Sequence, residues 1–246
     1  YTRKIVGSVD VYKRQDKYVL IVAGGKGLRM GGDLPKQFIP MRGKPLLMHT
    51  LEAFHRWDAS ARIILVLPED HQPYWNMLCK EIGCKVPHAI VKGGDTRFFS
   101  VKNGLDWLLA ERRRKGEEDS GLSLVAVHDG VRPFVSPEVV EACFDKAAVT
   151  GAVIPVVPMI DSLRETDEKG SHPVDRSRYM AVQTPQVFLL ELLTKAYEQP
   201  YSSLFTDDAS VVEAMGHAID TVPGDRENIK ITTPFDLLIA EAMFAR

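Results

Sequence analysis

Cysteine is scarce in this chain. Cys79, Cys84 and Cys143 are the three in 246 residues, with no CxxC pair among them. An odd, scattered set is neither a disulfide framework nor a zinc site, and incidental thiols in a reducing cytoplasm fit it better. Long apolar runs are missing too, since none approaches the ~20 residues that span a bilayer. Lys13, Arg14 and Lys17 precede the apolar YVLIVA as they would in a signal peptide, but the apolar part is too short and a glycine loop follows it. Nor is there a charge excess. Lys and Arg total 31 against 33 Asp and Glu, a formal net charge of -2, without the basic surplus of a general nucleic-acid binder. Internal repeats and low-complexity tracts are lacking, which excludes repeat architectures. These absences leave a cytoplasmic protein with no nucleic-acid and no membrane partner.

What is present is ordinary globular composition, 45% hydrophobic and 26% charged. The opening stretch, YTRKIVGSVDVYKRQD, has no initiator Met and no period that links it to the rest. Residues 1–16 are read as an N-terminal extension that need not be native, and residues 17–246 as a single domain. In that domain short β-branched runs alternate with helical patterns. Strands are expected at Tyr18–Ala23, Arg62–Leu67, His88–Val91, Ser123–Val127 and Ala152–Val157. Helices are expected at Pro45–Trp57, Glu69–Ile82, Thr96–Arg114 and Pro137–Val149, the last opened by Ser136-Pro137, an N-cap followed by proline in the first turn. Further helices are expected at Leu189–Tyr197, Thr206–Met215 and from Pro234 on. The alternation implies an α/β fold with a mainly parallel sheet and helices on both faces. One polar, highly charged stretch, Asp161–Gln186, breaks it, with DEKG reading as a turn between two extended pieces.

Ligands of such sheets bind outside the carboxyl ends of the strands. The loop after the first strand, AGGKGLRMGGDLPKQF, is therefore a candidate site, but it is neither of two familiar phosphate loops. A P-loop needs Gly-Lys where Arg29 stands, and a dinucleotide fingerprint needs a third glycine where Met30 stands. Gly24, Gly25 and Gly27 still permit close backbone approach and an anion nest. Arg29 and Lys36 add two full positive charges to it.

AGGKGLRM…LPKQF resembles the signature of nucleotidyltransferases. GGDTRFFSV (Gly93–Val101), HDGVRPF (His128–Phe134), VDR (Val174–Arg176), QTPQVF (Gln183–Phe188), TDDAS (Thr206–Ser210) and GDRENIKIT (Gly224–Thr232) follow in order. Together they resemble the 2-C-methyl-D-erythritol 4-phosphate cytidylyltransferase family of the non-mevalonate isoprenoid pathway, over nearly the whole chain from about Lys17. The resemblance implies a Rossmann-like fold of the nucleotide-diphospho-sugar transferase kind with a protruding β-arm. It implies transfer of CMP from CTP to a polyol phosphate with release of pyrophosphate, a divalent magnesium cofactor, and a homodimer joined through the arm at about residues 160–182.

The resemblance also implies roles. Arg29 and Lys36 are the catalytic cations that stabilise charge at the α-phosphate. Ala23, Gly24, Gly25, Gly27, Gly94, Asp95, Ser100 and Asp129 bind CTP, with Ser100 at the pyrimidine edge and Asp95 and Arg97 bracing their loop. Asp129 contacts the ribose or helps hold magnesium; both readings stay open. Arg132 supports the same loop. Arg176, Lys230, Asp161 and Ser162 position the second substrate, Arg176 from the partner subunit. The family usually has threonine at Ser162, Ala-Ala where Ala23-Gly24 stands, and HDAARP where the chain has HDGVRP. Ribitol 5-phosphate cytidylyltransferase shares the fold and most motifs and is the near alternative. A dinucleotide-dependent oxidoreductase is the alternative from another class, with Met30 and the extra cations against it. A nucleotide sensor would bind CTP without releasing pyrophosphate and would not need Lys36.

Overall fold

The computed structural model describes residues 16–24, 34–117, 122–168 and 170–245. Its first strand, β1 (Lys17–Val22), is the hydrophobic centre of an eight-stranded sheet. The remaining strands are β2 (Pro40–Met41), β3 (Lys44–Pro45), β4 (Arg62–Leu67), β5 (His88–Lys92), β6 (Leu124–Asp129), β7 (Ala152–Pro158), β8 (Leu163–Asp167), β9 (Gly170–Val174), β10 (Met180–Val182), β11 (Gln186–Leu189) and β12 (Asp220–Pro223). The sheet runs β5-β4-β1-β6-β11-β7-β10, with β12 joined to β7. Its β5-β4-β1-β6 half is wholly parallel. β11 runs antiparallel to both β6 and β7, and β10 antiparallel to β7.

The described helices are α1 (Leu46–Trp57), α2 (Gln72–Ile82), α3 (Arg97–Lys115), α4 (Pro137–Thr150), α5 (Leu190–Ala196), α6 (Asp208–Glu213) and α7 (Pro234–Phe244). Alternate residues of β1 point to opposite faces. Val19 and Ile21 join the core that α1 and α4 cover with Leu47, Leu51, Phe54 and Phe144. Tyr18 and Leu20 join the core that α3 covers with Val101, Leu105 and Leu108. A strand clothed on both faces must be apolar throughout, which is why KYVLIV shows no polar alternation. Each fully buried aliphatic side chain contributes about 1.5–3 kcal/mol.

The caps follow from the residue types. Ser136 Oγ accepts from Val139 N–H at 3.4 Å to open α4, as its sequence foretold. Thr96 caps α3 and Thr233 caps α7 in the same way. The expected helix at Glu69–Ile82 divides into a 3-10 turn, Glu69–His71, and α2, because Pro73 fits only the first turn of an α-helix. Leu189, expected to open a helix, instead ends β11. The charged stretch forms an exposed hairpin of β8 and β9, paired from Leu163↔Val174 to Asp167↔Gly170 and outside the main sheet. No helix among the described residues is long and apolar enough to cross a membrane.

Candidate active site

The carboxyl ends of β1, β4, β5 and β6 lie along one edge of the sheet, and their loops are stitched together by backbone bonds. Ala23 N–H donates to Val66 O at 3.0 Å, Gly93 N–H to Leu67 O at 2.7 Å and Gly130 N–H to Val22 O at 2.9 Å. Above this edge is a cleft of about 240 Å³. Ala23 and Gly24 form one wall and Gly94, Asp95 and Ser100 another, with Lys36, Arg97, Asp129 and Lys230 among the residues that line it.

Lys36 begins a 3-10 turn, Lys36–Phe38, that is pinned from beneath. Gln37 is 1% exposed. Its amide nitrogen donates to Ala23 O at 3.0 Å and lies 3.2 Å from His71 Nδ1. Phe38 packs edge-on to His71 and Tyr74 and stacks on Trp75. Lys36 is thus tied to the end of β1 through its neighbour's side chain.

The opposite wall is a glycine turn that carries its own brace. Ser100 Oγ accepts from Gly94 N–H at 3.0 Å and donates to Thr96 O at 2.9 Å. A Cβ on Gly94 would lie 2.4 Å from Phe99 Cβ, so only glycine fits. Below this loop the Arg97 guanidinium forks onto Asp208, at 2.9 and 2.5 Å. Asp208 is fully buried and also accepts from Tyr197 OH at 2.6 Å. Burial works against the charge of Arg97, but Asp208 and, beyond it, Asp129 hold it firmly protonated. Burial and the neighbouring Asp208 push the Tyr197 hydroxyl well above its ordinary value.

Asp129 ends β6 and joins the two walls. Lys230 Nζ stands 2.9 Å from its carboxylate and Arg132 Nε 3.2 Å. Burial alone would raise its pKa, but Lys230, Arg97 and Arg132 outweigh burial and hold it below the usual carboxylate range. Its backbone is fixed as well: Asp129 N–H donates to Thr184 Oγ1 at 3.1 Å, which lies 3.1 Å from Nδ1 of the buried His128. The other ring nitrogen, Nε2, faces Arg132 O at 3.1 Å. A carbonyl can only accept, so the network assigns the proton to Nε2 and leaves Nδ1 to accept from Thr184. Burial lowers the His128 pKa to about 4, which keeps the ring neutral. Gly130 has a packing reason: a Cβ there would lie 2.9 Å from Ala23 Cβ and 3.0 Å from Leu47 Cδ1.

The family model for 2-C-methyl-D-erythritol 4-phosphate cytidylyltransferase matches residues 18–246. The chain belongs to that cytidylyltransferase family. It is 56% identical to the Bacteroides fragilis protein of that name over 224 residues, 91% of this chain and 97% of the relative. To the Phocaeicola vulgatus protein it is 55% identical, over 93% of this chain and 99% of the relative. The crystal structure of the Thermus thermophilus enzyme superposes with a TM-score of 0.70 at 31% identity, covering 94% of this chain and all of that one. A 4-diphosphocytidyl-2C-methyl-D-erythritol synthase from Anaerococcus prevotii superposes with a TM-score of 0.77 at 27% identity, covering 97% and 100%.

In this cytidylyltransferase family member the residues singled out in the sequence fall into three groups. Ala23, Gly24, Lys36, Gly94, Asp95, Ser100, Asp129 and Lys230 line the one cleft. Asp161, Ser162 and Arg176 do not line it. They are exposed at the root of the β8–β9 hairpin, where the Arg176 guanidinium donates to Ile160 O. Gly25, Gly27 and Arg29 lie outside the described residues. Arg97 and Arg132 do brace their loops, through Asp208 and through Asp129 and Asn228 O respectively. Gln37, His71, His128, Thr184 and Asp208 were not assigned roles from the sequence, although Gln37, His128, Thr184 and Asp208 stand inside the quoted motifs.

Proposed function

We propose that this protein transfers CMP from CTP to 2-C-methyl-D-erythritol 4-phosphate, giving 4-diphosphocytidyl-2-C-methyl-D-erythritol and pyrophosphate. The observation that carries this reading is the gathering of Lys36, Asp129 and Lys230 around one strand-end cleft faced by the Gly94–Ser100 loop, in a chain of this family. The substrate phosphate oxygen attacks the α-phosphorus in line, and negative charge grows on the α-phosphate oxygens and the leaving pyrophosphate. Such a reaction is accelerated mainly by positioning and by fixed positive charge. Lys36, held by the Gln37 anchor, and Arg29 supply that charge beside the nucleotide. The glycines after β1 offer N–H groups to the triphosphate, and the Gly94 turn admits the base. Lys230 meets the phosphate of the second substrate, and Asp129 keeps Lys230 extended into the cleft beforehand.

Magnesium fits this donor set as a nucleotide-borne ion. Among the described residues no group of three or more His, Cys, Asp or Glu side chains could hold a metal. Asp129 is one ionised carboxylate at the cleft, and magnesium commonly binds through one or two carboxylates with substrate phosphates completing its shell. When bound, the ion would neutralise phosphate charge. Asp129 would be its protein ligand.

The protein acts as a homodimer in this reading. An isolated two-stranded hairpin is marginal in water, so the exposed β8–β9 arm gains order by lying on a second subunit. Arg176 then serves the neighbour's cleft, and Asp161 and Ser162 meet the hydroxyls of the second substrate. The test of function is direct: incubate the protein with CTP and magnesium, and separately with 2-C-methyl-D-erythritol 4-phosphate or ribitol 5-phosphate, and measure pyrophosphate. Release with the first phosphate is expected. Preferential turnover of ribitol 5-phosphate overturns the substrate assignment, and CTP binding without pyrophosphate in either case overturns the reaction.

A further inference from the structure

The C-terminus of α2 brings two cysteines together away from the cleft. Gly83 follows the helix with φ 76 and ψ 50, the left-handed conformation that reverses the chain. Both Gly83 N–H and Cys84 N–H then donate to Cys79 O, at 3.0 and 2.9 Å. The second bond is the six-to-one closure of a Schellman turn, and that closure sets the side chain just past the glycine against the side chain in the last helical turn. Here those two positions are Cys84 and Cys79. Both side chains pack, half-buried, on the edge of the α1–α4 core. The third cysteine, Cys143, is fully buried in α4.

We propose that Cys79 and Cys84 are a reactive dithiol that closes to an intramolecular disulfide on meeting a small-molecule disulfide. The neighbouring Cys79 thiol and the Val86 backbone lower the Cys84 thiol, while the neighbouring Cys84 and burial raise Cys79. Cys84 is therefore the attacking sulfur and Cys79 the resolving one, since the thiolate is the nucleophile. A depression of about 310 Å³, lined among others by Lys44, His55, Gly83 and Lys85, lies beside this turn. In the first step the Cys84 thiolate attacks one sulfur of the reagent, the reagent S–S bond breaks and one reagent thiolate leaves. In the second, Cys79 loses its proton to water and attacks Cys84 Sγ, expelling the other reagent thiolate. The protein loses two electrons and two protons, and the reagent gains the two electrons.

The test uses the native full chain with a modest excess of 5,5′-dithiobis(2-nitrobenzoate). Two reagent thiolates are expected per protein, with no retained adduct, an intact mass lower by two hydrogens, and a tryptic Cys79–Cys84 cross-link that dithiothreitol reverses. Cys79→Ser should stop at a stable mixed disulfide on Cys84 with one thiolate released, and Cys84→Ser should react more than tenfold more slowly. A wild-type protein that keeps a mixed adduct, does not react, or crosslinks through Cys143 overturns the proposal. The wild-type mass alone decides it if a variant does not fold.

Discussion

Lys230 Nζ and the Asp129 carboxylate meet at 2.9 Å on the floor of the cleft, joining the start of the chain's last segment to the end of β6. The pair is lopsided. Asp129 is nearly buried and Lys230 is not, and Arg132 and Arg97 add their charge to the same carboxylate. A phosphate entering the cleft can therefore draw Lys230 away without leaving Asp129 uncompensated. Asp129→Asn removes the acceptor that fixes Lys230 and, in the proposed reaction, the carboxylate that would hold magnesium. Turnover should fall by about 10²–10³-fold, the cost of losing one preorganised electrostatic group. Steady-state kinetics check this, and near-normal turnover would remove Asp129 from the mechanism.

His128 makes the fold acid-sensitive earlier than its carboxylates do. Burial lowers its pKa to about 4 from an ordinary value near 6.5. The unfolded chain takes up a proton below about pH 6.5, while the folded ring stays neutral until about pH 4. The folded state therefore has the full contribution above about pH 6.5 and loses it as pH falls toward 4, by about 3 kcal/mol in all. Asp129, held below the carboxylate range, adds its own loss only below about pH 4. His49 and His88 are also lowered by burial and act in the same direction as His128. Urea unfolding of wild type and His128→Gln at pH 7 and pH 5 isolates the His128 share. The variant should be less stable throughout yet lose less between the two pH values; an equal loss contradicts the assignment.

The parallel half of the sheet was readable because its strands are β-branched runs long enough to separate from helical periods. The short strands were not. MAV in β10, QVFL in β11 and DTVP in β12 have three or four residues each, too few to show a period, and they are defined by pairing with β7. The site divides in the same way. Lys36 follows from the glycine loop at a strand end, and Asp129 and Gly94 from the family resemblance. Ser100 was placed at the pyrimidine edge by the resemblance, and its hydroxyl is engaged with Gly94 and Thr96 within its own loop. The Arg97–Asp208 fork joins residues 111 apart, and Gln37 meets a histidine 34 residues away. No local pattern encodes such pairs; an Asp within TDDAS and a Gln within PKQF look like surface residues until the fold buries them.

Gln37 offers a sharper test of how Lys36 works. Its amide has two hydrogens, one given to Ala23 O and one facing His71 Nδ1, so the side chain is spent on the scaffold. Gln37→Leu keeps the bulk and removes both bonds. Lys36 retains its charge but loses the tie to β1, and misplacement of about 1 Å can cost up to ~10²-fold. The expected result is a fall in kcat of about 10–10²-fold with CTP affinity changed by less than about threefold. Equal losses in both would mean that Gln37 supports the nucleotide site as a whole rather than Lys36.

Arg176 carries the claim about assembly. It is exposed on the arm and does not line the cleft of its own subunit. If it serves the partner, an Arg176→Ala subunit paired with a Lys36→Ala subunit rebuilds one complete site. That site takes Lys36 from the first subunit and Arg176 from the second, while the other site lacks both. Random pairing of equal amounts makes half of the dimers mixed, so about one quarter of wild-type activity should return from two nearly inactive parents. If each Arg176 served its own cleft, every site in the mixture would lack one residue. Co-expression of the two variants with different tags, isolation of the mixed dimer and assay of pyrophosphate release distinguish these cases, and a mixed dimer no more active than its parents refutes action in trans.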